Sequence, residues 1–266
     1  MTRENGWDRG FHWAWWLMPP ALLVLTAPLW LHWWEPQQFI AINHFCAPLP
    51  AIFWTGLSLL GNGWGILGIT APLIVWSPRL LWGWLCAAPF AVLFARSGKF
   101  FIESPRPAAV VDNTQMRVIG EYLHNVSMPS GHTLTAFAVA TGIFLAIAAG
   151  HRWRHSWLLV LALGTGLSRI AVGAHWPGDV AVGIALGLLS GMLGHLLWQR
   201  VPESWIRPKR WPLRSVAVLQ LVAVYHLLSE ELDFAENLPL QYVLAGVVVA
   251  SLVAFVRQNV AGLKNR

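Results

Sequence analysis

Apolar runs close to twenty residues long alternate with short polar connections along most of this chain. About 20 apolar residues in a helix, at 1.5 Å each, cross the hydrocarbon core of a bilayer. The pattern predicts eight such helices, over 17–34, 51–76, 80–95, 131–149, 157–172, 180–198, 215–228 and 238–256. The seventh is short and interrupted by Gln220 and His226. Residues 1–16 read as a Trp-rich interfacial lead-in. No small-residue cleavage site follows the first run, so a retained span is expected there rather than a removable signal peptide. Residues 35–50 read as a loop, and 77–79 as a tight turn. The longest polar stretch runs from Arg96 to Pro129. Loops of that length in compact domains are usually functional. The expected fold is all-α: a polytopic transmembrane bundle with a six-helix core over 1–200. An extension over 201–266 adds one or two further spans. Its parts are a basic linker (201–214), an acidic loop (229–237) and a basic tail (257–266).

Composition supports the membrane reading. The chain is 56% hydrophobic and 11% charged, with a mean hydropathy of +0.53; soluble domains are about 25% charged. Many of its 18 tryptophans stand at run ends, as at Trp30, Trp33, Trp34, Trp76, Trp82, Trp157, Trp198 and Trp211. That placement suits an interfacial aromatic belt. Cys46 and Cys86 fall in a loop and in an apolar run, so no disulfide is expected between them. The net charge of +6 is asymmetric. With eight spans, 13 of the 18 Lys and Arg residues fall on the side that holds both termini. Only Arg96, Lys99, Arg106, Arg117 and Arg169 fall on the other. The positive-inside rule then puts the termini in the cytoplasm, and the 96–131 loop and 173–179 turn outside. Orientation accounts for the basic charge, so a nucleic-acid partner is not needed.

Lys99, Arg106 and Arg169 run against that orientation signal and need another reason to be present. Three cations can neutralise a phosphate dianion, and each arginine can grip two of its oxygens. Singly, they also read as interfacial side chains with their heads in water. Pro129-Ser130-Gly131-His132 opens an apolar run. Ser130 is a suitable helix N-cap, and Gly131 lets a ligand approach the backbone. The free N–H groups of such a helix start favour an anion. An ordinary cap on a membrane helix explains the same four residues. His175 and Asp179 stand four apart, so a helix starting near Pro177 brings their side chains together. A carboxylate on one imidazole nitrogen leaves the other free to attack. His132 is then placed to protonate a leaving oxygen and later to activate water. The remaining histidines have no matching partners, and no His, Cys, Asp or Glu cluster has metal-ligand spacing.

Three motifs, Lys99-x6-Arg106-Pro107, Pro129-Ser130-Gly131-His132 and Ser168-Arg169-x5-His175-x3-Asp179, stand complete and in order. They resemble the three signature motifs of the type 2 phosphatidic acid phosphatase family. The resemblance implies a metal-independent lipid phosphatase, without cofactor, that works through a phosphohistidine. It assigns His175 as nucleophile, Asp179 as its orienting partner and His132 as acid, then base. Lys99, Arg106, Ser130, Gly131 and Arg169 would bind phosphate, with Ser168 in support. The partner is then a lipid phosphate in the membrane: a polyprenyl pyrophosphate, phosphatidylglycerophosphate, phosphatidic acid or a lipid A phosphate. A bacterial inner membrane with the site facing the periplasm is expected. A lipid phosphotransferase needs the same first half-reaction and stays open as an alternative. A transporter or scramblase predicts polar residues along a midplane path, whereas these charges sit at helix ends. A vanadate-dependent haloperoxidase would share the anion pocket, but the membrane spans and the lack of a soluble domain speak against it. Every motif residue precedes Trp198, so the extension is expected to be separable from the chemistry.

Overall fold

The computed structural model describes residues 13–31 and 36–264, with side chains through 259. The start of the lead-in, residues 32–34 of the first run and the end of the basic tail lie outside the described residues. Among those described there is no strand, and most are helical. The helices are α1 (Met18–Leu25), α2 (Ala27–Leu31), α3 (Pro36–Cys46), α4 (Ala51–Leu59), α5 (Gly63–Thr70), α6 (Leu73–Trp76), α7 (Pro78–Leu85) and α8 (Ala88–Phe101). They are followed by α9 (Gly131–Ala146), α10 (Trp157–Ala171), α11 (Pro177–Trp198), α12 (Trp211–Ser229) and α13 (Leu238–Lys264). Cys46 and Cys86 are both buried free thiols.

Several boundaries differ from the apolar pattern. The expected loop over 35–50 contains α3, which meets α4 at 110°. Its polar residues hid it. Phe39 packs edge-on against Trp176 at 5.3 Å, and Asn43 donates to the carbonyls of Arg117 and Ile170. The helix is held by the 117 loop, the end of α10 and the start of α11. The expected span 51–76 is broken into α4, α5 and α6. Asn62 caps α5 by accepting from the Trp64 and Gly65 amides. The first break seats Gly61 against His132, where a Cβ would stand 2.6 Å from the His132 carbonyl oxygen. Continuous apolarity conceals such a break, because Gly61, Asn62 and Gly63 are too few to interrupt the run. The helix expected over 80–95 is longer: Pro78–Phe101 together are 24 residues, so Arg96 and Lys99 lie on α8 rather than in the loop.

The weak seventh candidate is a full 19-residue helix, α12. Its polar interruptions have partners within the protein, although Gln220 Oε1 has none among the described residues. Gln220 is buried and donates to the Ala71 carbonyl, while His226 stacks on Trp64 at 4.0 Å and pairs with Glu230. Internal partners of this kind make polar side chains tolerable at membrane depth. Among the described residues, four segments are long and apolar enough to cross a membrane, or five if α3 and α4 count as one bent span. The chain is an integral membrane protein. Helices α9 and α10, with 16 and 15 residues, are shorter than the expected spans. At 1.5 Å per residue they reach only about 24 Å. Helix α9 is buried along most of its length, so protein rather than lipid surrounds it.

Helix α9 packs most extensively against α11. Gly183, Gly187 and Gly191 recur every four residues on α11 and form the seam. A Cβ at Gly187 would lie 2.5 Å from the Phe137 Cβ and 2.6 Å from the Leu134 carbonyl. Backbones that approach so closely require small residues, as is common between membrane helices. The seam brings the start of α9 beside the start of α11, which places two of the three motifs together.

Candidate active site

Helix α10 ends in a left-handed turn at Gly173, with φ of 81°. Both the Ala174 and His175 amides then donate to the Arg169 carbonyl, at 3.0 and 3.1 Å. This turn carries His175 directly to the head of α11, where Pro177 occupies the first turn. The Asp179 carboxylate accepts from His175 Nδ1 at 3.1 Å and from the Trp176 amide at 2.9 Å. It also accepts from the Ser127 hydroxyl in a short contact. The sequence spacing thus yields the His–Asp pair it predicts, with both side chains buried. With Nδ1 donating to the carboxylate, Nε2 is the acceptor nitrogen. Arg106 Nη1 donates to it at 3.0 Å.

Arg106 is buried in the loop after α8, oriented by Asn125, which accepts from Nε at 2.9 Å, and by the Ala174 carbonyl at 2.7 Å. The loop is pinned by Ser104, whose hydroxyl accepts from the Met128 amide and whose carbonyl accepts from the Ser127 amide. Ser130 caps α9: its oxygen accepts from the Thr133 hydroxyl at 2.8 Å, and its amide donates to the Asp179 carbonyl at 3.1 Å. That last bond ties the starts of α9 and α11 together. Nothing lies within 4 Å of where a Gly131 Cβ would stand, so the backbone faces open space, as close anion approach requires.

Arg169 is buried near the end of α10, with Nη1 donating to the Ser58 hydroxyl and Nε without a protein partner. Its guanidinium stands 5.6 Å from the Phe234 ring. Lys99, on the last turn of α8, is within electrostatic reach of Arg106, Arg169 and Asp179. Ser168 is buried and donates to the Thr165 carbonyl, a bond within its own helix. Burial, then Arg106, Arg169, Lys99 and His132, pushes the His175 imidazole well below the usual histidine range. It is therefore neutral at physiological pH, as a nucleophile must be.

The structure brings His175, Asp179, Arg106, Ser130, Lys99 and Arg169 to one end of the bundle, with His132 within electrostatic range of His175. Sequence reading missed Ser58, Asn125, Ser127 and Asp233. Ser58 sits inside an apolar run, and the other three lie in loops with no motif. His132 Nε2 is 2.9 Å from Asp233 Oδ2, on the loop between α12 and α13. A cavity of about 480 Å³ opens here, bounded by Arg169, Ala174, Gly120 and Glu121 and, from the extension, Glu231, Asp233 and Phe234.

Known proteins resemble this chain over the residues that carry the motifs. The PAP2 superfamily profile matches residues 79–203, which hold all three motifs. A lipid A 1-phosphatase of Porphyromonas gingivalis is 45% identical over 69 residues, 26% of this chain and 16% of that protein's own length. A decaprenylphosphoryl-5-phosphoribose phosphatase of Mycobacterium tuberculosis is 31% identical over 60% of this chain and 88% of its own length. The crystal structure of Aquifex aeolicus LpxE superposes with a TM-score of 0.52 and 28% identity, covering 59% of this chain and 92% of that one. A profile match running from Arg79 past the last motif, with a relative followed along nearly its whole length, places this chain in the PAP2 superfamily.

Proposed function

We propose that this protein hydrolyses a phosphate from a membrane lipid phosphate or pyrophosphate through a phosphohistidine on His175. The observation that carries the reading is the buried neutral His175, held by Asp179 at Nδ1 and faced by Arg106 at Nε2. Attack by Nε2 forms the N–P bond as the bond from phosphorus to the lipid oxygen breaks, with His132 giving that oxygen its proton. Water then attacks phosphorus, passes a proton to His132 and breaks the N–P bond, which releases phosphate. Before attack, the substrate must draw Arg106 Nη1 from Nε2 onto a phosphate oxygen. Lys99, Arg169 and the amides opening α9 supply the remaining positive field. Ser168 supports the turn of α10 that carries Arg169.

A lipid substrate is supported by a second, apolar cavity of about 350 Å³. It is lined by Gly63, Trp64 and Leu67 of the broken span, Ala88 and Ala91 of α8, and Thr135, one turn below His132. A hydrocarbon chain would lie there with its phosphate at His175. The relatives named above act on lipid-linked phosphates, which favours lipid A or polyprenyl substrates over the other candidates. Transfer of the phosphate to a second lipid in place of water uses the same site. The deciding assay is phosphate release from a panel of these lipids by purified protein in excess chelator. Release is expected to continue, because cations rather than carboxylates face the nucleophile. Loss of activity with EDTA, restored by magnesium or zinc, would refute the cation-only site.

The site is proposed to face the periplasm of a bacterial inner membrane, from the Lys and Arg distribution. A cysteine introduced at 110–120 should react with an impermeant thiol reagent on intact cells, and one at 152–154 should not. The reverse labelling pattern would invert the topology.

A further inference from the structure

We propose that the loop between α12 and α13 completes the active site, with Asp233 as the positioning residue of His132. This inference rests on the phosphatase reading above. Asp233 Oδ2 is 2.9 Å from His132 Nε2 and accepts from Asn62 Nδ2 at 2.8 Å. Asn62 is the cap of α5, in the break of the second apolar run. That break therefore serves both histidine seating, through Gly61, and carboxylate placement, through Asn62. Asp233 is the one non-glycine residue with positive φ among those described, at 63°. Aspartate tolerates that conformation better than most residues, and here it turns the carboxylate toward His132. Next in the chain, Phe234 stands against the Arg169 guanidinium, and the Asn237 side chain donates to the Thr55 carbonyl. The loop is thus fastened to the core just after Asp233. Burial by itself would raise the Asp233 carboxyl, but His132, Arg169 and Asn62 hold it well below the usual carboxylate range. It stays anionic throughout the working pH range.

The consequence concerns which imidazole nitrogen works. With Nε2–H donating to Asp233, Nδ1 is the nitrogen that gives its proton to the leaving lipid oxygen and later takes one from water. The groups bearing on His132 are Lys99 of α8, Arg169 of α10, His175 and Asp233, of which only Asp233 is negative. Asp233 is therefore the group that supports the imidazolium required for general acid catalysis.

The test uses the full chain with Asp233→Asn and Asp233→Gly, two residues that both accept the backbone conformation. Each variant is assayed on a lipid phosphate and on nitrophenyl phosphate, whose leaving group needs no proton, with thermal midpoints and pH profiles. On the lipid, kcat is expected to fall by about 10-fold or more, with KM little changed, a part of the roughly 10²- to 10⁴-fold that a general acid itself contributes. The alkaline limb of kcat should move to lower pH, since the imidazolium has lost its anion. Nitrophenyl phosphate hydrolysis should fall far less. Equal losses on both substrates with an unmoved alkaline limb would reduce Asp233 to a structural role. Unchanged or raised kcat on the lipid would show that it does not assist, or that it blocks the site. A wild-type protein that releases no phosphate from any lipid would instead remove the phosphatase reading itself.

Discussion

Replacing His175 by alanine is expected to abolish turnover and to remove the phosphoenzyme with it. Among the described residues no other imidazole is prepared as this one is, with Nδ1 donating to a buried carboxylate, Nε2 facing Arg106, and Arg169 and Lys99 within electrostatic range. The proposed mechanism has two steps, so it predicts a phosphoenzyme that can be trapped. Rapid quenching with phosphorus-labelled lipid should trap acid-labile, base-stable label on the wild-type protein. Label of that type persisting in His175→Ala would assign the nucleophile elsewhere. The same environment sets the pH dependence. A lowered His175 pKa means that the attacking base form persists to lower pH. The acid limb of kcat/KM, which reports the free enzyme, should therefore fall below the usual histidine range. The alkaline limb records loss of the proton from the acid, and both limbs belong to a coupled pair.

Asp179→Asn is expected to lower kcat by about 100-fold or more, as tautomer loss does in other His–Asp pairs. The carboxylate holds Nδ1–H of His175, so an amide in its place can donate to Nδ1 and turn the attacking lone pair away. The variant also tests whether Asp179 is structural. Its oxygen receives the Trp176 amide and the Ser127 hydroxyl, which fix the start of α11 and the end of the long loop. The same Oδ2 takes both Nδ1–H and the Trp176 amide, so an amide nitrogen turned to Nδ1 gives up the Trp176 bond, and the thermal midpoint is expected to fall while the fold survives. A folded Asp179→Asn protein with near wild-type kcat would show that tautomer control by Asp179 is dispensable. Unfolding of the variant would move its weight from chemistry to the loop.

The PAP2 assignment, the all-α class and the membrane setting were legible because they depend on short-range information. Apolar runs report the solvent that a helix meets, and the motif spacings are local enough to survive without a fold. Asp179 lies one helical turn after His175, so that pair follows from spacing alone. The start of α9 at Ser130-Gly131 is likewise a local capping signal. The signals failed where partners are distant in sequence. Helix α3 is stabilised by the loop around 117 and by the end of α10, so its polar residues resemble a connection. The break at residues 60–62 is invisible within an apolar run, because its purpose is to let Gly61 and Asn62 reach His132 and Asp233.

Motif order also left the extension apart from the chemistry, since all three motifs end before Trp198. The loop 230–237 reaches the core because α12 and α13 pack along α5 and return the chain to the motif end of the bundle. No residue-type pattern marks Asp233 as a partner 101 positions from His132. The sequence by itself determined the membrane setting, the family and the residue types that gather at the candidate site, since these rest on hydrophobic transfer and on contacts within one turn. Only the tertiary structure decided which backbone and side-chain groups meet across helices. Those meetings depend on close approach at glycines and on pairing of buried polar groups, both of which are properties of the packed bundle.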